Sequence, residues 1–240
     1  MIIGWADITG RGKLTSQLCF MAGLFAQYSE KQHLLISRRP VKADYYLGLT
    51  LEDADKKRAD LLRLAVNGQL TTQLLKDYSL PLMKGLDYLD ASFVDSKEGE
   101  YKQVLYEYLL EKAGEGYGYV FADLSREIEM SRSVDKLVLC LPQSPAAIRE
   151  ALRGRSLSFE RGRLPLLLFG QYFPDSRWTK KRLAKEIAAA DVLSLSFSYE
   201  LFDALNEGSL LDYVKRKYGN WETEYRQFAK FVGGGEERRK

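Results

Sequence analysis

Short apolar runs with no polar alternation recur along this chain: "MIIGW" at the start, "HLLIS" over 33–37, "KLVLCLP" over 136–142 and "LPLLLFG" over 164–170. A strand with one face in water alternates polar and apolar residues, whereas an apolar strand without alternation is covered on both faces. Between these runs lie segments whose apolar residues recur every three or four positions, the spacing of amphipathic helices. Buried strands alternating with helices predict a parallel sheet, because parallel neighbours need a crossover and the crossover helices clothe the sheet. The expected fold class is α/β: a single domain with a mostly parallel, twisted sheet and helices on both faces.

The expected elements follow in chain order. Residues 2–8 read as a strand and 14–28 as a helix, with Leu14, Leu18, Met21, Phe25 and Tyr28 on one stripe. A strand at 33–37 is stopped by "RRP". The stretch 52–80 reads as two helices broken near Asn67 and Gly68. "GLDYLDA" (85–91) is a short strand, 100–116 a helix with a glycine stop, and 117–125 a strand ending near an aspartate. A strand at 136–142 leads to a helix at 144–154, with Ser144 as cap and Pro145 at its first position. Strands at 164–170 and 191–197 flank a helix at 179–190, and helices over 199–218 and 221–232 close the pattern. Seven or eight strands in one unbroken alternation predict one domain over 1–232, followed by a flexible charged tail at 233–240.

Composition excludes several functions. With 36 basic and 33 acidic side chains in 240 residues, the net charge of +3 does not call for a nucleic-acid partner. Two cysteines, Cys19 and Cys140, sit in apolar runs and read as buried reduced thiols. One histidine, His33, rules out a multi-histidine metal site, and no serine lies in a nucleophile elbow. The N-terminal run is too short for a signal peptide, and no stretch is long enough to span a bilayer. A cytoplasmic protein is expected.

The loop "ADITGRGKLTS" (6–16) lies between a strand and a helix, the layout of a phosphate-binding loop. Such a loop turns backbone N–H groups and a helix N-terminus toward phosphate, adds a lysine, and holds magnesium on the Ser or Thr that follows. Gly10, Gly12 and Lys13 fit. Asp7 falls where the pattern has its first glycine, and its carboxylate would repel phosphate. Leu14 follows the lysine and cannot bind a metal, and Thr15 comes one place late.

Taken whole, residues 1–232 resemble the ParA/MinD family of deviant Walker-A ATPases. Laid on that family's loop, Ile8 replaces the signature lysine that reaches across a nucleotide-sandwich dimer, and Leu14 replaces the magnesium-binding Ser/Thr. The second strand of the family ends in a turn of aspartates that position the attacking water; here Ser37, Arg38 and Arg39 stand there. "GLDYLDA" and "YGYVFADLS" resemble later family strands, and Asp123 matches the Walker-B acid. "VLCLPQSPAAIREALR" matches a later strand and helix, and "ELFDALNEGSLLDY" another helix through Ala204 and Gly208. The adenine-reading asparagine is absent from "LLLFGQY".

The resemblance implies a scaffold whose site is present but chemically damaged: a pseudo-ATPase, with no catalytic and no metal-binding residue assigned. The nucleotide-binding candidates are Gly10, Arg11, Gly12, Lys13, Leu14, Thr15 and Asp123, holding ATP or ADP without magnesium. The implied function is a non-catalytic or weakly nucleotide-binding scaffold or localisation factor. Its partners would be proteins, with a homodimer allowed, and it would be recruited to a polar or membrane-associated assembly such as a pilus or secretion apparatus. The alternative is an ATPase switch cycling between monomer and ATP-bound dimer. Two further features read as surface or core: a basic cluster at Arg153, Arg155, Arg161 and Arg163 with Phe159 and Trp178 nearby, and a last helix whose Trp221, Tyr225, Phe228 and Val232 suit packing on the core.

Overall fold

The computed structural model describes residues 1–49, 54–96, 99–153, 165–187 and 191–233. Eight strands form one sheet: β1 (Ile2–Ala6), β2 (His33–Ser37), β3 (Leu80–Met83), β4 (Leu86–Asp90), β5 (Tyr119–Ser125), β6 (Lys136–Leu141), β7 (Leu166–Tyr172) and β8 (Asp191–Ser196). Their order across the sheet is β3-β4-β2-β5-β1-β6-β7-β8. Every pairing is parallel except the edge hairpin β3–β4. The sheet is therefore mostly parallel, as the unalternated apolar runs require.

Ten helices are described: α1 (Leu14–Tyr28), α2 (Pro40–Leu47), α3 (Ala54–Val66), α4 (Thr72–Tyr78), α5 (Gly99–Gly116), α6 (Pro145–Leu152), α7 (Lys180–Ile187), α8 (Tyr199–Asn206), α9 (Leu210–Lys217) and α10 (Glu222–Val232). Two apolar clusters lie on opposite faces of the sheet. One gathers α1, α9 and α10 on strand residues such as Trp5, Leu35, Phe121 and Val138. The other gathers α3 and α5 on Ala6, Leu34, Val120 and Leu139. Successive residues of β1, β2, β5 and β6 are thus buried alternately on the two faces.

Several elements differ from the sequence reading, each for a local reason. Helix α1 buries residues all round, Cys19, Phe20, Ala22, Leu24 and Ala26 included, rather than one stripe. It is sandwiched between the sheet and α2, α9 and α10, so no face meets water. Pro40 does not merely end β2; it opens α2 at N1, where its missing N–H is no loss. The expected helix over 199–218 breaks at Gly208, whose φ is +68° and where a Cβ would stand 2.6 Å from the Tyr45 carbonyl oxygen. The stretch 52–80 ends in the edge strand β3, turned into β4 at Gly85.

Helix α10 packs Phe228 and Val232 into the core, with Phe228 5.7 Å from Trp5 and 5.8 Å from Phe25 between ring centres. Among the described residues no helix is long and apolar enough to cross a membrane. Residues 155–163 of the basic cluster and the tail at 234–240 lie outside the described residues. Arg153 is exposed after α6, and the Arg182 guanidinium lies 4.8 Å from the Trp178 ring centre.

Candidate functional site

All strands that bear on the site run parallel, so their carboxyl ends share one edge of the sheet. The loop from Asp7 to Lys13 lies there, between the ends of β5 and β6. It is anchored by the Asp7 amide, which donates to the Ser125 carbonyl at 2.8 Å.

The Asp7 side chain turns back into its own loop. Its Oδ2 accepts from the Gly12 amide at 2.8 Å, and its Oδ1 accepts from the Thr9 amide at 3.0 Å and the Thr9 hydroxyl at 2.8 Å. The Gly10 amide donates to the Asp7 carbonyl at 3.3 Å, and the Arg11 amide to Thr9 Oγ1 at 3.0 Å. Four consecutive amides, from Thr9 to Gly12, are thus satisfied inside the loop. Asp7 is only 2% exposed. The charge of Asp7 alone predicts repulsion of phosphate; in the structure its carboxylate is turned inward and takes up the amides of Thr9 and Gly12.

Local packing fixes this geometry. Gly12 passes so close to β6 that a Cβ would lie 2.2 Å from the Cys140 carbonyl oxygen. Gly10 has φ +69°, and the Arg126 guanidinium covers it, 2.0 Å from where a Cβ would stand. Lys13 is exposed and caps α1 in the left-handed region, φ +58°. Its carbonyl accepts from the Gln17 amide and the Ser16 hydroxyl, while the Gln17 side-chain amide donates to the Gly12 carbonyl. Gly170 makes room for that glutamine. Leu14 and Thr15 are buried at the foot of α1, and Ile8 is buried in the cluster beneath the loop. The amides of Leu14, Thr15 and Ser16 open the helix without a protein acceptor among the described residues.

Asp123 is fully buried beside the loop, paired with Trp5 across β1–β5. Its Oδ1 accepts from the Ser125 amide at 2.7 Å and the Ser125 hydroxyl at 3.2 Å, and its Oδ2 from the Arg38 amide at 3.4 Å. Burial pushes its carboxyl above the ordinary range, against the Ser125 amide and the charges of Arg39 and Arg38. This carboxylate braces the ends of β2 and β5.

Arg38 stands where the resemblance places a water-positioning aspartate, and its side chain runs inward. The guanidinium donates to Glu127 at 2.9 Å and pairs with Asp95, with the Tyr106 ring centre 5.3 Å away. Lys102 completes the group at 2.7 Å from Asp95 and 2.5 Å from Glu127. Burial alone would raise the Asp95 and Glu127 carboxyls, but hydrogen bonds from Arg38 and Lys102 hold both below their ordinary values. Two cations and two anions make a neutral plug under the turn after β2.

A cleft opens on the other side of Lys13, lined by Gln17, Phe20, Gln171, Leu195, Phe202 and their neighbours. Its free space, open solvent included, is about 420 Å³. Beside it Phe173 and Phe197 stack at 5.1 Å, and Tyr199 meets Phe197 edge-on at 4.9 Å.

Of the residues expected to form a nucleotide site, Gly10, Arg11, Gly12 and Lys13 lie in one loop beside the strand that carries Asp123, while Leu14 and Thr15 face the core. Neither the inward role of Asp7 nor the partners of Arg38 stand out along the sequence. An Asp two residues before a Thr is an Asx-turn signal that could have shown the first; Asp95, Lys102 and Glu127 are scattered and carry no local signal.

No family model matches the chain, and no curated protein matches it. Solved structures do. A ParA family ATPase from Chlorobium tepidum TLS superposes with a TM-score of 0.69 at 18% identity, covering 92% of this chain and 97% of that one. An ATP complex of McdA from Cyanothece gives 0.67 at 17%, covering 99% and 98%. The MinD of a MinC:MinD cell division protein complex from Aquifex aeolicus gives 0.64 at 15%, covering 91% and 96%. The fold is that of the ParA/MinD-like P-loop proteins.

Proposed function

We propose that this ParA/MinD-like chain is a non-hydrolysing scaffold that places partner proteins, and that its phosphate loop is closed by its own Asp7. The observation that carries this reading is the Asp7 carboxylate on the amides of Gly12 and Thr9. An anion that fills a loop from inside competes with any phosphate at effective concentrations no free ligand reaches. Two further arrangements support the same reading. Hydrolysis of a nucleotide needs a metal to neutralise developing charge and a positioned water. Here the residue after Lys13 is a buried leucine, and the place of the water-positioning acid holds Arg38, locked to Asp95 and Glu127. The residues present do not fit a magnesium nucleotide held in the family manner.

The scaffold part of the proposal draws on fold similarity to proteins of plasmid partition and cell division, the MinC:MinD complex among them. The assignment to a pilus or secretion apparatus rests on the sequence resemblance alone. Calorimetric titration with ATP, with and without magnesium, tests the closed loop. The expected result is no saturable heat up to millimolar nucleotide. Magnesium-dependent phosphate release that Lys13→Ala abolishes would overturn the proposal.

A further inference from the structure

The carboxyl edge of the sheet has two halves. Over β2, β5 and β1 it carries Arg11, Lys13 and Arg126, all exposed, with Arg39 half-buried beside them. None of these four makes an ion pair among the described residues. Two acids of the same edge, Asp95 and Glu127, are already held by Arg38 and Lys102. Asp7, which faces the loop amides, offers the cations no surface carboxylate. Over β7 and β8 the same edge is apolar. Phe202 is 42% exposed, Phe173 52% and Tyr199 76%, and Phe202 lines the cleft that begins at Lys13.

We propose that this edge docks an acidic protein segment carrying a bulky apolar side chain. Its carboxylates would meet Arg11, Lys13, Arg39 and Arg126, and its apolar side chain would lie across the mouth of the cleft against the exposed face of Phe202. Arginine forks bind carboxylates in pairs of hydrogen bonds, and a buried apolar anchor beside a charged rim is the usual economy of such contacts. The proposal rests on the closed-loop reading, since a bound nucleotide triphosphate would neutralise the same cations. A second copy placed face to face is a poorer occupant, because it would set these cations against an identical cationic set. Single-stranded nucleic acid is the other anionic occupant, since its bases could stack on exposed rings such as Tyr199; the near-balanced net charge of +3 disfavours it.

The test is fluorescence anisotropy with a labelled peptide that alternates glutamate with leucine and phenylalanine. The comparison probes are the same peptide with glutamine for glutamate, and a single-stranded oligothymidylate. Saturable binding of the acidic peptide and none of the glutamine peptide is expected. Arg11→Glu combined with Arg126→Glu should weaken it about tenfold or more, and Phe202→Ser about fivefold. All three side chains are exposed, so the variants leave the core intact. Absence of saturable binding, unchanged affinity in both variants, or tighter binding of the oligothymidylate overturns the proposal. Calorimetry with ATP and magnesium on the same sample separates the two readings. Peptide binding alongside ATP binding keeps the docking surface and removes the closed loop; neither binding removes the surface and keeps the loop.

Discussion

Replacing Asp7 with alanine removes a carboxylate that accepts three hydrogen bonds inside the loop, two from amides and one from the Thr9 hydroxyl. Hydrogen bonds to a charged group contribute about 1.5–3 kcal/mol each when the donor is buried, less when water can replace the acceptor. The Gly12 amide is buried against β6, whereas Thr9 is half-buried and Gly10 and Arg11 are exposed. Counting the Gly12 bond fully and each of the two Thr9 bonds, whose acceptor water can replace, at about 0.5 kcal/mol gives a loss of about 2.5–4 kcal/mol. In a chain of this size that is roughly 5–16 °C in Tm. The same change opens the amides of Thr9 and Gly12 beside those of Leu14, Thr15 and Ser16, which already lack a protein acceptor among the described residues, so the variant should bind an outside anion more tightly than the native chain does. At phosphate a hundredfold above its Kd the recovery would be about 2–3 kcal/mol. The assay is urea denaturation of both proteins in phosphate and in chloride at matched ionic strength, read as the difference between them, which cancels the general stabilisation that phosphate gives any protein. A loss below about 0.5 kcal/mol, or equal phosphate stabilisation of both, would refute the idea that Asp7 fills the cradle.

His33 is fully buried among Phe25, Tyr119 and Phe121, and neither ring nitrogen has a partner among the described residues. Burial, then the nearby Lys31, lowers its pKa from 6.5 to about 4. The folded state therefore holds fewer protons than the unfolded one between those values. The contribution, about 3 kcal/mol, is fully present above the unfolded pKa and is lost as pH falls from 6.5 to about 4; His33→Phe should flatten that part of a stability–pH curve measured by denaturation. Arg38→Met leaves Asp95 and Glu127 with Lys102 alone. Their side chains are 39% and 34% exposed, so the expected loss is about 2–3 kcal/mol, below the range for a fully buried pair, read from the urea midpoint. Gly12→Ala puts a methyl group 2.2 Å from the Cys140 carbonyl oxygen and should lower stability by about 2–3 kcal/mol in the same assay, with no rescue by added phosphate.

What the sequence determined by itself is what short-range pattern encodes. The bounds of α1 and β2 follow from apolar spacing and from the turn residues beside them, and the absence of alternation in β6 is enough to require a sheet covered on both faces. Leu14 and Ile8 are legible there as the residues that stand where the resemblance would place a metal ligand and a bridging lysine. Tertiary structure decided the rest. Helix α1 shows one apolar stripe to a periodicity count yet is buried all round, because α9 and α10 return from the far end of the chain to cover it. Arg38, which along the sequence only stands in the place of an acid at the turn after β2, is the centre of a buried ion group because the fold brings Asp95, Lys102 and Glu127 to it. Asp7 carries the largest difference. Its identity shows a negative charge at a phosphate loop, but whether that charge repels a ligand or replaces one depends on where the side chain points. That direction is set by Gly12 pressing against β6 and by the Ser125 carbonyl holding the Asp7 amide, contacts made across more than a hundred residues of chain.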